Sequence, residues 1–180
     1  TEDRASYVRG EGYTVAQLAF RGGESMIFLL PDEGTALAPL LRGEAALADL
    51  FTDVYDSDEA QTAKLVWSVP KFDVSSDLEL TDALKSLGVT DAFDDTRADF
   101  SPLADFDEPV AVTQVQHAAR VKIDEEGCEA AAFTAIVAEC TAAMPEDLPV
   151  VEMDLDRPFA FAITGADGLP LFVGAVNTME

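Results

Sequence analysis

Apolar residues along the chain recur mainly with the period of β-strands. A first strand is predicted at residues 13–20, and after a double-glycine turn an unbroken apolar run covers residues 26–30. An unbroken run of this length predicts a strand that is buried on both faces. Further strands are predicted at residues 65–72 and 110–124.

Two stretches have helical spacing instead. Large apolar residues recur every three or four positions between residues 36 and 55, which predicts a helix, or two short helices broken at Gly43. Residues 78–87 predict a further short helix, and Gly88 is well placed to end it. The C-terminal residues 159–176 predict a hairpin around a glycine-containing turn.

The strand predicted at residues 110–124 is the most regular element. One of its faces carries Val115, His117, Ala119, Val121 and Ile123. The apolar parity is different before Thr113, where a bulge is expected. The mostly apolar face predicts a central, buried strand. His117 lies on that face and is the only histidine, which favours a core histidine over a catalytic one.

Residues 125–155 do not fit a regular element. The segment lacks turn-forming residues directly after Gly127, is rich in alanine, and has two prolines in its second half. Long loops of this kind in a compact domain are often functional. Read with a period of two, one side carries mostly small residues, namely Cys128, Ala130, Ala132, Thr134, Ile136 and Ala138. Such a segment is compatible with an exposed loop and with an added strand between two others.

The charge balance excludes several classes of function. The 180 residues include 11 Lys+Arg and 35 Asp+Glu, which give a formal net charge of −24. Such a polyanion is repelled by nucleic acid and by anionic membrane surfaces, so neither is expected as a partner. The hydrophobic content of 48% predicts a globular chain rather than a disordered acidic tail. The length predicts one domain, or part of one, over residues 1–180.

Catalytic and metal-binding chemistry finds no support in the sequence. Two cysteines and one histidine are too few for a structural zinc site or a disulfide framework. No glycine-rich phosphate loop or nucleophile elbow occurs. We therefore expect no enzyme activity, no cofactor and no metal site. The first residues are polar and mixed in charge, so no signal peptide is visible.

Six short motifs occur in a recognisable order. They are Gly22-Gly23-Glu24-Ser25-Met26 with Leu30-Pro31; Pro70-Lys71-Phe72 with residues 84–88 and Ala92-Phe93; Ala98-Asp99-Phe100-Ser101; His117 with residues 124–131; Asp156-Arg157-Pro158-Phe159; and Leu171-Phe172-Val173-Gly174. In this order they resemble the serpins, a family of protease inhibitors. The resemblance implies an α+β fold of mostly antiparallel and mixed β-sheets with a few helices. Since the motifs belong to the C-terminal half of a serpin, it also implies an incomplete fold.

The resemblance implies inhibition by conformational change. A serine or cysteine protease attacks an exposed reactive loop, here within residues 125–155, and forms an acyl-enzyme. The cut loop then inserts as a new strand into the large sheet, and deacylation stalls. The hinge that starts the insertion would comprise Glu126, Gly127, Cys128, Glu129, Ala130, Ala131, Ala132, Phe133 and Thr134. His117 resembles the shutter histidine of the family.

Counting along the loop as in the family places the scissile bond at Thr141-Ala142. The scissile region comprises Glu139, Cys140, Thr141, Ala142 and Ala143. Side chains this small suit elastase-like or subtilisin-like proteases. The hinge departs from the family pattern at Cys128, where threonine is usual, and at Phe133, where alanine is usual. Oxidation of Cys128 with Cys140 would tether the hinge.

Three interpretations of the chain differ in the partner they require. As the C-terminal half of an inhibitory serpin, the chain would need the N-terminal half of the same serpin to insert its loop. As a non-inhibitory binding or scaffold protein, or a truncated relative, it would offer its loop only as a protease substrate. Unpaired strand edges would favour self-association. The family role and the acidic, alanine-rich composition indicate an extracellular or cell-surface location in a bacterium or archaeon.

Overall fold

The computed structural model of the protein describes residues 1–20, 22–104, 106, 108–124, 127–128 and 148–178, with residues 127 and 128 described by their backbone. The chain forms two compact units. The first unit comprises Thr1–Val74 and Val121–Glu180, and the second comprises Ser75–Arg120. The single domain expected over residues 1–180 stays a prediction.

β-Strands are the main regular elements of the described residues. The strands are β1 (Glu2–Gly10), β2 (Tyr13–Ala19), β3 (Ser25–Pro31), β4 (Gln61–Ser68), β5 (Phe72–Glu79), β6 (Gln116–Asp124), β7 (Gly127–Cys128), β8 (Val150–Asp154), β9 (Phe159–Thr164) and β10 (Pro170–Val176). The helices are α1 (Leu37–Leu40), α2 (Glu44–Phe51) and α3 (Thr81–Ser86), with 3₁₀ turns at Val54–Asp56 and Asp91–Phe93. Mixed sheets with a few helices confirm the predicted fold class.

Two sheets organise these strands. The larger has seven strands in the order β10-β9-β3-β2-β1-β4-β8. Its neighbouring strands are antiparallel, except that β8 is parallel to β4. The smaller sheet has the order β5-β6-β7. The predicted C-terminal hairpin is confirmed as β9 and β10.

β3 lies inside the larger sheet, between β2 and β9. All seven residues of β3 are buried, because β2 and β9 flank the strand and apolar side chains cover both faces. Met26, Phe28 and Leu30 pack in one apolar cluster with residues of β5, β6 and β9. Ile27 and Leu29 pack in a second cluster with α1 and α2. The burial on both faces that the unbroken apolar run predicts is therefore confirmed.

The helical segment after β3 is divided at Gly43, as its spacing predicts. Gly43 is the N-cap residue of α2 and has extended backbone. Leu50 of α2 is 1% exposed and packs in the second apolar cluster. After this helix, the backbone N–H of Val54 donates a hydrogen bond of 2.8 Å to Oε1 of the buried Gln17. This bond ties the chain after α2 to strand β2.

Several predicted elements differ from the observed ones. β6 begins at Gln116 rather than at residue 110, and it is largely exposed, with Val121 its buried residue. The strand predicted at residues 65–72 corresponds to the C-terminal half of β4, which ends at Ser68. β1, β5 and β8 are not predicted from the sequence, and the helix predicted at residues 78–87 is shorter, since β5 extends to Glu79 and α3 comprises Thr81–Ser86. The burial predicted for the strand after residue 110 is wrong, because the described apolar cover of β6 begins only at its C-terminal half.

Candidate functional site

The N-terminal end of the candidate loop lies along one edge of β6. Gly127 and Cys128 form β7, which pairs antiparallel with β6 on the side away from β5. Asp124 lies opposite Gly127, and Ile123 lies opposite Cys128. The chain therefore turns back after β6 and begins a new strand on this edge.

β6 presents an apolar face beside this pairing. Val121 is 5% exposed within the main apolar cluster, and Ile123 packs against the same cluster. Lys122 and Asp124, which have the opposite parity, form an ion pair with Nζ 3.1 Å from Oδ2. Residues directly opposite each other in an antiparallel pair share a face. A strand added on this edge would therefore direct the side chains opposite Ile123 and Val121 toward the apolar cluster.

The C-terminal end of the candidate loop is held by a longer ladder. All five residues of β8 pair in parallel with β4. Two backbone hydrogen bonds of 2.9 Å extend the ladder at its ends. The N–H of Lys64 donates to the carbonyl of Pro149, and the N–H of Leu155 donates to the carbonyl of Ser68. The chain is therefore fixed to β4 from residue 149 to residue 155.

Side chains reinforce this end of the loop. Met153 is 0% exposed and Leu155 is 1% exposed, both in the main apolar cluster. Beyond them, Nε of Arg157 donates a hydrogen bond of 2.8 Å to the carbonyl oxygen of Pro31 at the end of β3. Nη1 of Arg157 lies 2.6 Å from Oδ1 of Asp156. This arginine therefore joins the chain that enters β9 to β3, inside the larger sheet.

His117, the predicted shutter residue, is exposed rather than buried. His117 is exposed on β6, in the second unit. The prediction that His117 lies on a buried apolar face is wrong, since the main apolar cluster of the described residues includes Val121 and Ile123 of this strand but not His117. A shutter role for His117 stays a prediction.

Most other predicted site residues lie outside the described part of the chain. Gly127 and Cys128 of the predicted hinge form β7. The hinge residues Glu126, Glu129, Ala130, Ala131, Ala132, Phe133 and Thr134, and the scissile-region residues Glu139, Cys140, Thr141, Ala142 and Ala143, lie outside the described residues. The pairing of Cys128 with Cys140 likewise stays a prediction.

The sequence reasoning missed the C-terminal anchor, although the sequence carries its signal. Val151, Met153 and Leu155 alternate with Glu152 and Asp154, which is the period of a half-buried strand. The neighbouring prolines made this stretch resemble an irregular loop. Arg157 belongs to the motif at residues 156–159, but the motif does not indicate its partner, the carbonyl of Pro31, which lies 126 positions earlier in the chain.

The acidic side chains of the second unit organise turns. Oδ1 of Asp99 accepts hydrogen bonds from the hydroxyl and the backbone N–H of Ser101, at 2.7 and 3.0 Å. These bonds lower the pKa of Asp99.

Within the described ranges, no three or more His, Cys, Asp or Glu side chains are grouped so that they could hold a metal ion. No helix in those ranges has the length and apolarity to cross a membrane.

Comparison with known proteins agrees with the motifs and the topology. A family model described as "Serpin (serine protease inhibitor)" matches residues 1–179. The chain belongs to the serpin family. Iripin-5 from Ixodes ricinus is 35% identical over 167 residues, which are 91% of this chain and 40% of that serpin. The hibernation-specific plasma protein HP-55 from Tamias sibiricus is 36% identical over 173 residues, 94% of this chain and 38% of that protein.

Solved serpins share the architecture. Serpin48 from the insect Tenebrio molitor superposes with a TM-score of 0.72 and 26% identity, over 99% of this chain and 44% of that one. The thermophilic serpin tengpin, in its native state, superposes with a TM-score of 0.69 and 27% identity, over 98% of this chain and 45% of that one. The chain thus spans about 40% of the length of the curated relatives it matches.

Proposed function

We propose that this chain is the loop-bearing part of a serine protease inhibitor that traps its target by inserting its own cut loop as a strand. The observation that carries the proposal is the pairing of β7 with β6. Two residues of the hinge lie on a sheet edge already, in the antiparallel direction that an inserted loop requires. The family membership supports the inhibitory role, since a relative from cowpox virus is named serine proteinase inhibitor 2.

The register of β7 supports a specific inserted strand. If the pairing of Ile123 with Cys128 is continued residue by residue, Ala130 comes to lie opposite Val121. Cys128 and Ala130 then share the apolar face of β6, and the following alternate residues, beginning with Ala132, continue on that face. The bulky Phe133 has the opposite parity and would face away from the cluster. Small residues on the inward side can be buried without displacing their neighbours.

A cavity in the first unit supports the fit of this face. It has a volume of about 270 Å³, and Ile123 of β6 lines it together with Met26 and Phe28 of β3. Lys71 and Asp124 line it as well. The cavity leaves room beside Ile123 for a small residue on an inserted strand.

The chemistry of the proposed trap follows from the loop sequence. A protease serine would attack the carbonyl of Thr141, and the acyl-enzyme would form as the bond to Ala142 breaks. Threonine and alanine at this bond favour an elastase-like or subtilisin-like target. Insertion of the loop would carry the protease along and distort its oxyanion hole, so that the ester is not hydrolysed.

The proposed inhibitor has two protein partners and an extracellular setting. One partner is the target serine protease, or a cysteine protease that can form the equivalent thioester. The other is the N-terminal half of a serpin, because the chain covers 44% of Serpin48. A related protein, HP-55, is named a plasma protein, which supports an extracellular location.

Mixing the chain, joined to or combined with an N-terminal serpin half, with an elastase-like protease tests the proposal. An adduct that survives a denaturing gel, with a released peptide that begins at Ala142, is the expected result. Cleavage at the same bond with no adduct would reduce the loop to a substrate and refute the inhibitory role. Intact mass of both products assigns the bond.

A matched pair of loop variants tests the proposed register. Ala130→Asp puts a charge on the inward face, and Ala131→Asp puts the same charge on the outward face. Burial of an unpaired carboxylate opposes insertion, so Ala130→Asp should be cleaved without trapping. Ala131→Asp should still form the adduct. Equal trapping by the two variants would contradict the register.

A non-inhibitory binding or scaffold role is the alternative. Under this alternative, every protease that cuts the loop releases both fragments, with or without an added N-terminal half.

A further inference from the structure

We infer that Arg157 is a positioning residue that latches the C-terminal anchor of the loop to strand β3. The inference rests on the proposed function only in treating residues 125–155 as the hinge and reactive loop. Its observation is the 2.8 Å hydrogen bond from Nε of Arg157 to the carbonyl oxygen of Pro31. The two residues are joined across the sheet although β8 itself pairs with β4 at the opposite edge.

The location of the latch gives it a specific role. β8 is an edge strand of the larger sheet, so it can separate from β4 without breaking any other pair in that sheet. β9 lies inside the sheet, between β10 and β3, and cannot separate in this way. Arg157 lies in the short connection between these two strands and fixes it to the last residue of β3. The latch therefore opposes opening at the adjacent C-terminal end of β8, which the hydrogen bond from Leu155 N–H to the carbonyl of Ser68 closes.

By opposing the opening of β8, the latch limits how much chain the loop can gain. If residues 148–156 came away from β4, they would add about 30 Å of extended chain to the loop. A loop lengthened by that amount would be slack, and it would no longer be pulled taut when its N-terminal side pairs with β6. The latch keeps the two ends of the loop at fixed positions until a protease cuts between them.

The chemistry of the side chain suits the task. A hydrogen bond from a charged guanidinium donor is stronger than one between neutral groups. Asp156 holds Nη1 at 2.6 Å, which orients the planar group toward Pro31. The side chain is 28% exposed, so water competes with this bond only in part.

Hydrogen exchange of two amides measures the latch without any protease. The N–H groups of Leu155 and Lys64 donate across the β4–β8 ladder and report its opening. Arg157→Gln should raise the exchange rate of the Leu155 amide by roughly ten- to a hundredfold, the range for a lost hydrogen bond to a charged group. Amides in the β3–β9 ladder should keep their rates.

Two further variants separate the latch from general effects. Arg9→Gln removes the same charge beside the same end of β3, because Nη1 of Arg9 contacts Oδ1 of Asp32 at 3.2 Å, but it leaves Arg157 intact. Its Leu155 amide should exchange at the unmodified rate. Arg157→Lys keeps the charge and one donor, so its rate should lie between those of the unmodified chain and Arg157→Gln.

Several results would overturn the inference. They are an unchanged Leu155 amide in Arg157→Gln, an equal acceleration in the β3–β9 ladder, an equal effect of Arg9→Gln, or an Arg157→Lys rate equal to that of Arg157→Gln. Adduct formation is measured separately on the same variants. If the unmodified chain combined with an N-terminal serpin half forms no adduct, the proposed function is refuted, while the exchange rates still decide whether the latch exists.

Discussion

The contact between Gly174 and Phe161 offers a quantitative test of the packing between β9 and β10. The two residues lie directly opposite each other in the hairpin. A Cβ atom added at Gly174 would lie 2.6 Å from Cζ and 2.8 Å from Cε1 of the Phe161 ring. We predict that Gly174→Ala destabilises the protein, because the ring occupies the only place where the methyl group can go.

Whether Gly174→Ala lowers the free energy of unfolding depends on whether the Phe161 ring can move. Phe161 is 1% exposed, and its ring centroid lies 5.3 Å from that of Phe72. Forcing an extra carbon into such packing costs about 1–3 kcal/mol. Replacing glycine in a strand recovers about 0.5–1 kcal/mol of backbone entropy. The clash therefore prevails, with a net loss of about 1 kcal/mol in the free energy of unfolding.

Urea unfolding of a double-mutant cycle checks this reasoning. Gly174→Ala should lower the urea midpoint by roughly 0.5 M. Phe161→Leu opens space beside residue 174, so the alanine should cost less in that background, with a coupling of about 0.5 kcal/mol or more. If the two substitutions add without coupling, or if Gly174→Ala raises the midpoint, the clash is not what keeps glycine at this position.

Three further predictions concern polar groups. Gln17→Leu should lower the free energy of unfolding by about 1–3 kcal/mol, because the Val54 N–H loses its buried acceptor; an unchanged urea midpoint would contradict this. Thr96→Val should raise the pKa of Asp94, because hydrogen bonds from the Thr96 hydroxyl and N–H lower this pKa and the substitution removes the hydroxyl. The contribution of Asp94 to stability, which is present above about pH 4 and lost on acidification, should then shrink. NMR titration measures the pKa, and an unchanged value would refute the assignment. Burial and the hydrogen bond to Asp49 raise the pKa of Tyr13, so its contribution to stability should be present below about pH 10 and lost at higher pH. Tyr13→Phe should remove that part of the stability loss at alkaline pH. If the free energy of unfolding of the variant had the same pH dependence as that of the unmodified chain, the prediction would be contradicted.

The parts of the fold that the sequence predicts well are those where one local rule is sufficient. Unbroken apolar residues in β3 predict burial on both faces, and both neighbours of that strand are present. Gly43 divides the helical region, and Gly88, with a φ of 95°, follows α3 in the conformation that glycine favours. In these places, local preference and tertiary packing agree.

The parts that were missed depend on partners distant in the chain. β1 carries charged residues among its buried ones, since Ala5 and Tyr7 are buried while Arg4 and Arg9 are exposed. Its place in the sheet depends on pairing with β2 and with β4. The motif containing Arg157 shows the same limit, because its acceptor is a carbonyl group on β3. A pattern of residue types identifies such a segment without giving its contact.

The two ends of the candidate loop bear on which segment would insert under the proposed function. At the N-terminal end, the described residues Gly127 and Cys128 pair with β6. The C-terminal end has five residue pairs, and it buries the side chains of Met153 and Leu155. Two such buried side chains contribute about 1.5–3 kcal/mol each. Under the proposed function, insertion of the N-terminal segment on β6 leaves this anchor on β4 intact, whereas insertion from the C-terminal side would dissolve it, so the N-terminal segment is the one expected to insert.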